Sequence, residues 1–254
     1  MAEATREKTE VSDAEWQLRV DLAACYRLFV KYRWTDLIYT HLSARVPGHP
    51  DQYLINPYGL MFDEINASSL IKVDFHGNVI AGDYPVNGAG HAIHSAVLAA
   101  RPDVNVVFHS HTKAGIAVSA MKCGLLPISQ HAAEVLGNIA YHDYDLAIAG
   151  SEECERLGAD LADRWALILH NHGLLACGRD PAEAFHLLYN IEIACQVQVD
   201  ALASGQELHH MKQSASRALS DGFRITPDRP NTGATFLWPA LIRMLDREDP
   251  SYRD

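Results

Sequence analysis

The compact apolar run Val104–Phe108 leads directly into His109-Ser110-His111. Side chains at i and i+2 of an extended chain point to the same side, so both imidazoles can reach one point. A pair of that kind is a good bidentate grip for zinc or another first-row divalent ion. A second apolar run, Ala166–Leu169, delivers His170-Asn171-His172-Gly173. Either His172 or His170 can supply a third imidazole, and the other is then a neighbouring group or a core histidine bonded to backbone. Gly173, with no side chain, lets the backbone turn sharply after His172. Three neutral imidazoles with an open position make a Lewis-acid site rather than a closed structural one.

Such a site needs a group that moves protons. His91 and His94 share a helix face three residues apart, and His94 is a candidate to line the same pocket. His131 follows Pro127-Ile128-Ser129-Gln130 in an expected loop, where an acid or proton shuttle fits. Glu134 is the nearest carboxylate after it and a candidate general base, although an exposed or capping role is the simpler reading. His209-His210 lie in a polar stretch and read as solvated.

The elements that must position these residues are a mixture of helices and strands. Ser12 or Asp13 can cap a helix from about Ala14 to Tyr32. Strand-like pieces follow at Ser43–Val46, Tyr53–Asn56 and Ser69–Val73, separated by turn-rich segments. Helices are expected at Gly88–Ala100, Ala114–Met121 and Glu152–Arg164, and strands at Ile139–His142, Ala166–Leu169 and Leu174–Cys177. Asp180-Pro181-Ala182-Glu183 is a strong helix start, with an N-cap Asp, Pro at the first position and Glu closing a capping box. That helix should run to Ala203 and stop at Gly205. Residues 206–235 read as loop with one helical turn at most, and Trp238–Leu245 as a terminal apolar helix. Alternation of elements without repeats implies a layered α/β or α+β domain. The division is a flexible arm at 1–12, a domain at 13–205, and a C-terminal extension at 206–254 packing on the same domain.

With 254 residues and 48% hydrophobic side chains, the chain can bury one large core. Its formal net charge of -11 repels phosphate backbones and anionic lipid, so nucleic acid and membrane surfaces are poor partners. Five widely spaced Cys without a CxxC read as reduced thiols. The charged N-terminus lacks an apolar leader core, and no apolar run reaches the ~18 residues of a membrane span. A cytoplasmic protein is expected.

Four segments together resemble the class II aldolase/adducin family: ARPDVNVVFHSHT at 100–112, AVSAMKCGLLPIS at 117–129, LILHNHGLLACG at 167–178 and EIACQVQVDALAS at 192–204. The second is similar to the adducin head domain in particular. The likeness covers about Glu15 to Gly205. It implies a three-layer α/β/α sandwich around a central, mainly antiparallel sheet. It also implies a homotetramer with active sites between subunits, and Zn2+ (or Mn2+, Fe2+ or Co2+) on His109, His111 and His172. Other family positions depart. The catalytic Glu of the sugar-phosphate aldolases falls on Gly90, and their phosphate-binding serines are replaced. Their second phosphate loop falls on Ile38-Tyr39-Thr40-His41-Leu42, without its Gly and Asn. A tyrosine supplied by a neighbouring subunit falls on His131.

The resemblance thus implies a divalent-metal-dependent lyase, of aldolase or decarboxylase type, acting on an unphosphorylated small-molecule carbonyl or hydroxy acid. With the Glu missing, His131, His94, His91 and Glu134 are the candidates for proton transfer. The alternatives are a non-catalytic adducin-like binding module and, third, a metal-dependent oxygenase.

Overall fold

The computed structural model describes residues 11–143, 151–226, 228–229 and 232–254. All but the end of the proposed N-terminal arm lies outside the described residues. Eight strands form one sheet: β1 (His41–Arg45), β2 (Gln52–Ile55), β3 (Ile71–Asp74), β4 (Val79–Ala81), β5 (Val106–Ser110), β6 (Ile139–His142), β7 (Ala166–Leu169) and β8 (Gly173–Gly178). Their order is β4-β3-β2-β1-β5-β8-β7-β6. Every described pairing is antiparallel except β6 with β7. β5, β7 and β8 are buried along their whole length, as expected of strands covered on both faces.

The helices are α1 (Asp13–Tyr32), α2 (Gly88–Ala100), α3 (Lys113–Ser119), α4 (Gln130–Val135), α5 (Ser151–Leu161), α6 (Pro181–Ala203), α7 (Gln213–Phe223) and α8 (Thr232–Glu248). Alternation along β5 separates the two covering layers. Phe108 meets Phe29 of α1 edge-on, with ring centroids 5.9 Å apart. The next residue, His109, faces the other way, toward His41, whose ring abuts Gly90 of α2. Helices α1 and α6 therefore cover one face, and α2, backed by α5, covers the other. The result is a three-layer α/β/α sandwich.

Local chemistry sets the helix ends. Ser12 caps α1 by accepting from the Glu15 amide at 3.2 Å, and Arg33 closes it in the left-handed region at φ 59. Asp180 caps α6 by accepting from the Glu183 amide at 2.8 Å. The expected reciprocal bond shifts by one residue, because Glu183 accepts from the Arg179 amide (3.1 Å) while pairing with the Arg179 guanidinium. Tyr26 pins α1 to the sheet: its buried hydroxyl lies 2.6 Å from the Leu42 carbonyl and accepts from the Leu42 and Asn56 amides.

Two expectations fail. Residues 213–223, read as loop, form the helix α7, which lacks buried side chains and leans on α4 and the Leu136–Asn138 turn. Asn138 holds its end, donating to the Phe223 carbonyl and accepting from the Ile225 amide. Tertiary support here overrides weak helix propensity. The terminal helix starts at Thr232 rather than Trp238 and runs through Pro239. It buries Leu241 and leaves Phe236 84% exposed. The exposed edge strand β4 was not foreseen. The last residues return to the domain, where the Ala67 amide bonds the Tyr252 carbonyl and the Ser68 amide bonds Asp254.

Candidate metal centre

Strand β5 ends with His109 and Ser110, and the chain turns into α3 just after His111. Thr112 caps α3, accepting from the Gly115 amide while donating to buried Glu192 of α6 at 2.5 Å. This ties the His109-Ser110-His111 segment to the helix beneath it. His172 comes from the tight connection between β7 and β8, which pair Leu169 with Gly173. Asn171 turns that connection in the left-handed region at φ 56, which Asn tolerates better than most residues. Gly173 does not supply the turn itself. It is glycine because the start of β8 lies so close to the end of β5 that a Cβ there would collide with the Ser110 carbonyl.

These constraints bring three Nε2 atoms together. His109 Nε2 lies 2.8 Å from His111 Nε2, which lies 2.9 Å from His172 Nε2. The Nδ1 atoms decide what that means. His109 Nδ1 donates to the Leu174 carbonyl at 3.0 Å. His111 Nδ1 faces the Asp36 carboxylate at 2.9 Å. Both partners are pure acceptors, so the ring protons sit on Nδ1 and the Nε2 lone pairs point inward. Two inward lone pairs at 2.8 Å repel one another unless a cation lies between them. Tetrahedral coordination at about 2.0–2.1 Å would set the nitrogens about 3.3 Å apart, a small outward relaxation. The donor set therefore fits a divalent metal ion. The carboxylate behind His111 is the usual device for fixing a ligand imidazole.

The environment keeps the His109 and His172 rings neutral. Burial, reinforced by the neighbouring imidazoles, holds His109 well below the usual histidine range. Burial and then His111 bring His172 down to about 4. Neutral imidazoles are the form that binds metal.

The remaining candidates are distributed unevenly. His94 is fully buried on α2, with Nε2 2.7 Å from His41 Nδ1 and Nδ1 bonded to the Ser43 hydroxyl. It reaches the triad only through His41, whose ring lies 5.0 Å from that of His109. His91 bonds the Tyr53 hydroxyl at 2.6 Å, a local role. His170, the competitor for the third ligand, turns outward to Asp143 at 2.6 Å and stacks on Tyr141. There it borders an open cleft of about 610 Å³ whose lining includes Lys122, Tyr141 and Asn171. His131 lies in α4 rather than in a loop, because Ser129 caps a helical turn by accepting from the Ala132 amide. Glu134, on the same helix, accepts from Gln130 at the surface. Among the described residues neither makes a hydrogen bond to the triad.

Sequence reasoning missed Asp36, Thr112, Glu192 and the pair His41–Ser43. The last had a signal: two polar side chains at i and i+2 of the buried strand His41–Arg45. Asp36 had none, being far from His111 in sequence. The Gly90 departure also gains a cause. A Cβ at Gly90 would lie 2.6 Å from His41 Cδ2, so the His41 ring fills the space where a side chain at 90 would begin.

With this geometry in place, similarities to known proteins can be weighed. The sequence profile of the Class II Aldolase and Adducin N-terminal domain matches residues 20–199. A Pseudomonas aeruginosa protein provisionally named an aldolase class 2 protein is 49% identical over 248 residues, covering 97% of this chain and 95% of its own. Mouse alpha-adducin is 41% identical over 245 residues, covering 90% of this chain but 33% of that protein. The solved structure of an L-fuculose 1-phosphate aldolase from Glaciozyma antarctica superposes with a TM-score of 0.81 at 27% identity, covering 94% of this chain and 93% of its own.

Proposed function

The chain belongs to the class II aldolase and adducin family, and from that premise we propose that it is a divalent-metal-dependent lyase, of aldolase or decarboxylase type, acting on an unphosphorylated carbonyl or hydroxy acid. The observation that carries this reading is the convergence of three Nε2 atoms, two of them with their protons fixed on the far nitrogen. His109, His111 and His172 would hold the metal, with Zn2+ first and Mn2+, Fe2+ or Co2+ as alternatives. A cation bound there supplies Lewis acidity that favours the enolate left when a carbon–carbon bond breaks.

The chain's own residues do the rest. The Leu174 carbonyl and Asp36 keep two ligand rings in register. Glu192, its carboxyl pushed up by burial, anchors Thr112 next to His111. The absence of a carboxylate at position 90 and of both phosphate-binding segments argues against the sugar-phosphate reaction after which the Glaciozyma antarctica relative is named. Assembly as a homotetramer is part of the proposal and would be read by light scattering.

The test is turnover. The zinc-loaded protein should cleave or decarboxylate at least one member of a panel of unphosphorylated 2-oxo and 2-hydroxy acids, and chelation should abolish it. A second reading is favoured by the 41% identity to alpha-adducin: a binding module that keeps the site without using it. Full metal loading with no turnover across the panel would favour that reading. Turnover that tracks iron content and oxygen would instead identify an oxygenase.

A further inference from the structure

Behind the triad runs a second chain of polar atoms, from Ser43 through His94 to His41. Ser43 and His41 lie on the same face of β1, and His41 is directly opposite His109 in the β1–β5 register. Ser43 and His94 are fully buried, and His41 is 3% exposed. His94 Nε2 and His41 Nδ1 lie 2.7 Å apart, so one of these two nitrogens donates and the other accepts.

Two directions are possible for such a chain, and the Ser43 hydroxyl chooses between them. Its one hydrogen-bond partner among the described residues is His94 Nδ1. If His94 Nδ1 carried the proton, the Ser43 hydrogen would be buried without an acceptor, which is strongly disfavoured. The hydroxyl therefore donates to His94 Nδ1, and His94 Nε2–H donates to His41 Nδ1. His41 then has its proton on Nε2, the ring nitrogen with no partner among the described residues. That ring stands between Gly90 and the triad, 5.0 Å from His109 and tilted 31° to it.

We propose that His41 is a substrate-contacting hydrogen-bond donor. Its neutral Nε2–H meets the oxygen of a 2-oxo or 2-hydroxy acid, or of the enolate formed from it, beside the His109–His111–His172 triad. His94 and Ser43 are positioning residues that fix its tautomer. The inference rests on the metal-dependent reading above. A neutral imidazole suits this task, because it polarises a developing oxyanion without first giving up a proton. It also assigns a role to the space at Gly90: where family aldolases have a carboxylate that takes a proton, this chain presents an N–H that donates to oxygen.

The test has two readouts. Long-range 1H–15N spectra of histidine-labelled protein report the tautomer without any reaction. His41 should show a protonated Nε2 and a bare Nδ1, and the opposite pattern overturns the inference. Ser43→Ala should shift that pattern toward a mixture; an unchanged spectrum also overturns it. Calorimetry of the zinc-loaded protein with oxalate, a planar enolate mimic, reads the contact itself. His41→Phe should weaken oxalate about tenfold while holding a full equivalent of zinc, and His41→Gln, which keeps a donor near the same place, should recover most of the loss. Equal oxalate affinity in wild type and His41→Phe overturns the inference and leaves the metal reading intact. A wild type that takes up no zinc overturns both.

Discussion

Two histidine clusters in this chain use the same side chain in opposite ways. At the triad, Nδ1 of His109 and of His111 is taken by an oxygen acceptor and the Nε2 atoms face one another. At the end of β6, both nitrogens of His142 are taken, by Asp160 at 2.7 Å and by Glu153 at 2.8 Å. Neither ring nitrogen is open to a cation there, and the cluster fastens β6 to α5. His109 and His142 are both buried, so burial does not tell a binding site from a structural one. What tells them apart is whether acceptors occupy one ring nitrogen or both.

The sharpest way to break that contrast is to remove one histidine from each cluster. Zinc at a thousandfold excess over its Kd should stabilise the wild type by about 4 kcal/mol, and His172→Ala should gain almost nothing in thermal unfolding. His142→Ala should keep the full zinc response yet lose about 3 kcal/mol of intrinsic stability by denaturant titration, because two carboxylates lose their partner. If His142→Ala instead abolished the zinc response, the distinction would be wrong.

Smaller effects refine the picture. Asp36→Ala should leave the fold intact and weaken zinc about 10–100-fold by competition with a chromophoric chelator. An unchanged affinity would mean that the carboxylate does not orient His111. Gly90→Ala should cost about 2 kcal/mol, because its Cβ meets the buried His41 ring. In a His41→Ala background most of that cost should vanish, and simple additivity would contradict the interlock. The last effect is the pH response of the metal-free protein. His172 ionises near 4 when folded, against an ordinary value of 6.5. Between those values the unfolded chain takes up a proton that the folded chain refuses. Stability should therefore be fully present above about pH 6.5 and fall with acidification by up to about 1.4 kcal/mol per pH unit. Buried His41, His94 and His109 act in the same direction. A flat profile from pH 7 to 5 would count against neutral, desolvated rings.

Much of the architecture was readable because its signals are local. The spacing of His109 and His111, the Asp180-Pro181 start and the limits of Gly88–Ala100 and Pro181–Ala203 each depend on neighbours in sequence. What escaped depends on register or distant packing. His41 figures in sequence only as part of the segment matching the phosphate loop, until β1 is laid antiparallel to β5 and sets it across from His109. The same register gives His94 its Ser43 partner, while Asp36 reaches His111 from the loop before β1. Gly173 was noticed for its backbone freedom, yet the closeness of the start of β8 to Ser110 is what requires it. Helix α7 escaped because contacts with α4 and Asn138, rather than its own composition, hold it in place.

The most direct test is X-ray absorption at the zinc edge on protein loaded with one equivalent of metal. The account predicts imidazole nitrogens at about 2.0–2.1 Å from three histidines, one of them lost in His172→Ala. Zinc that is absent, or bound with the same spectrum in wild type and His172→Ala, would contradict it.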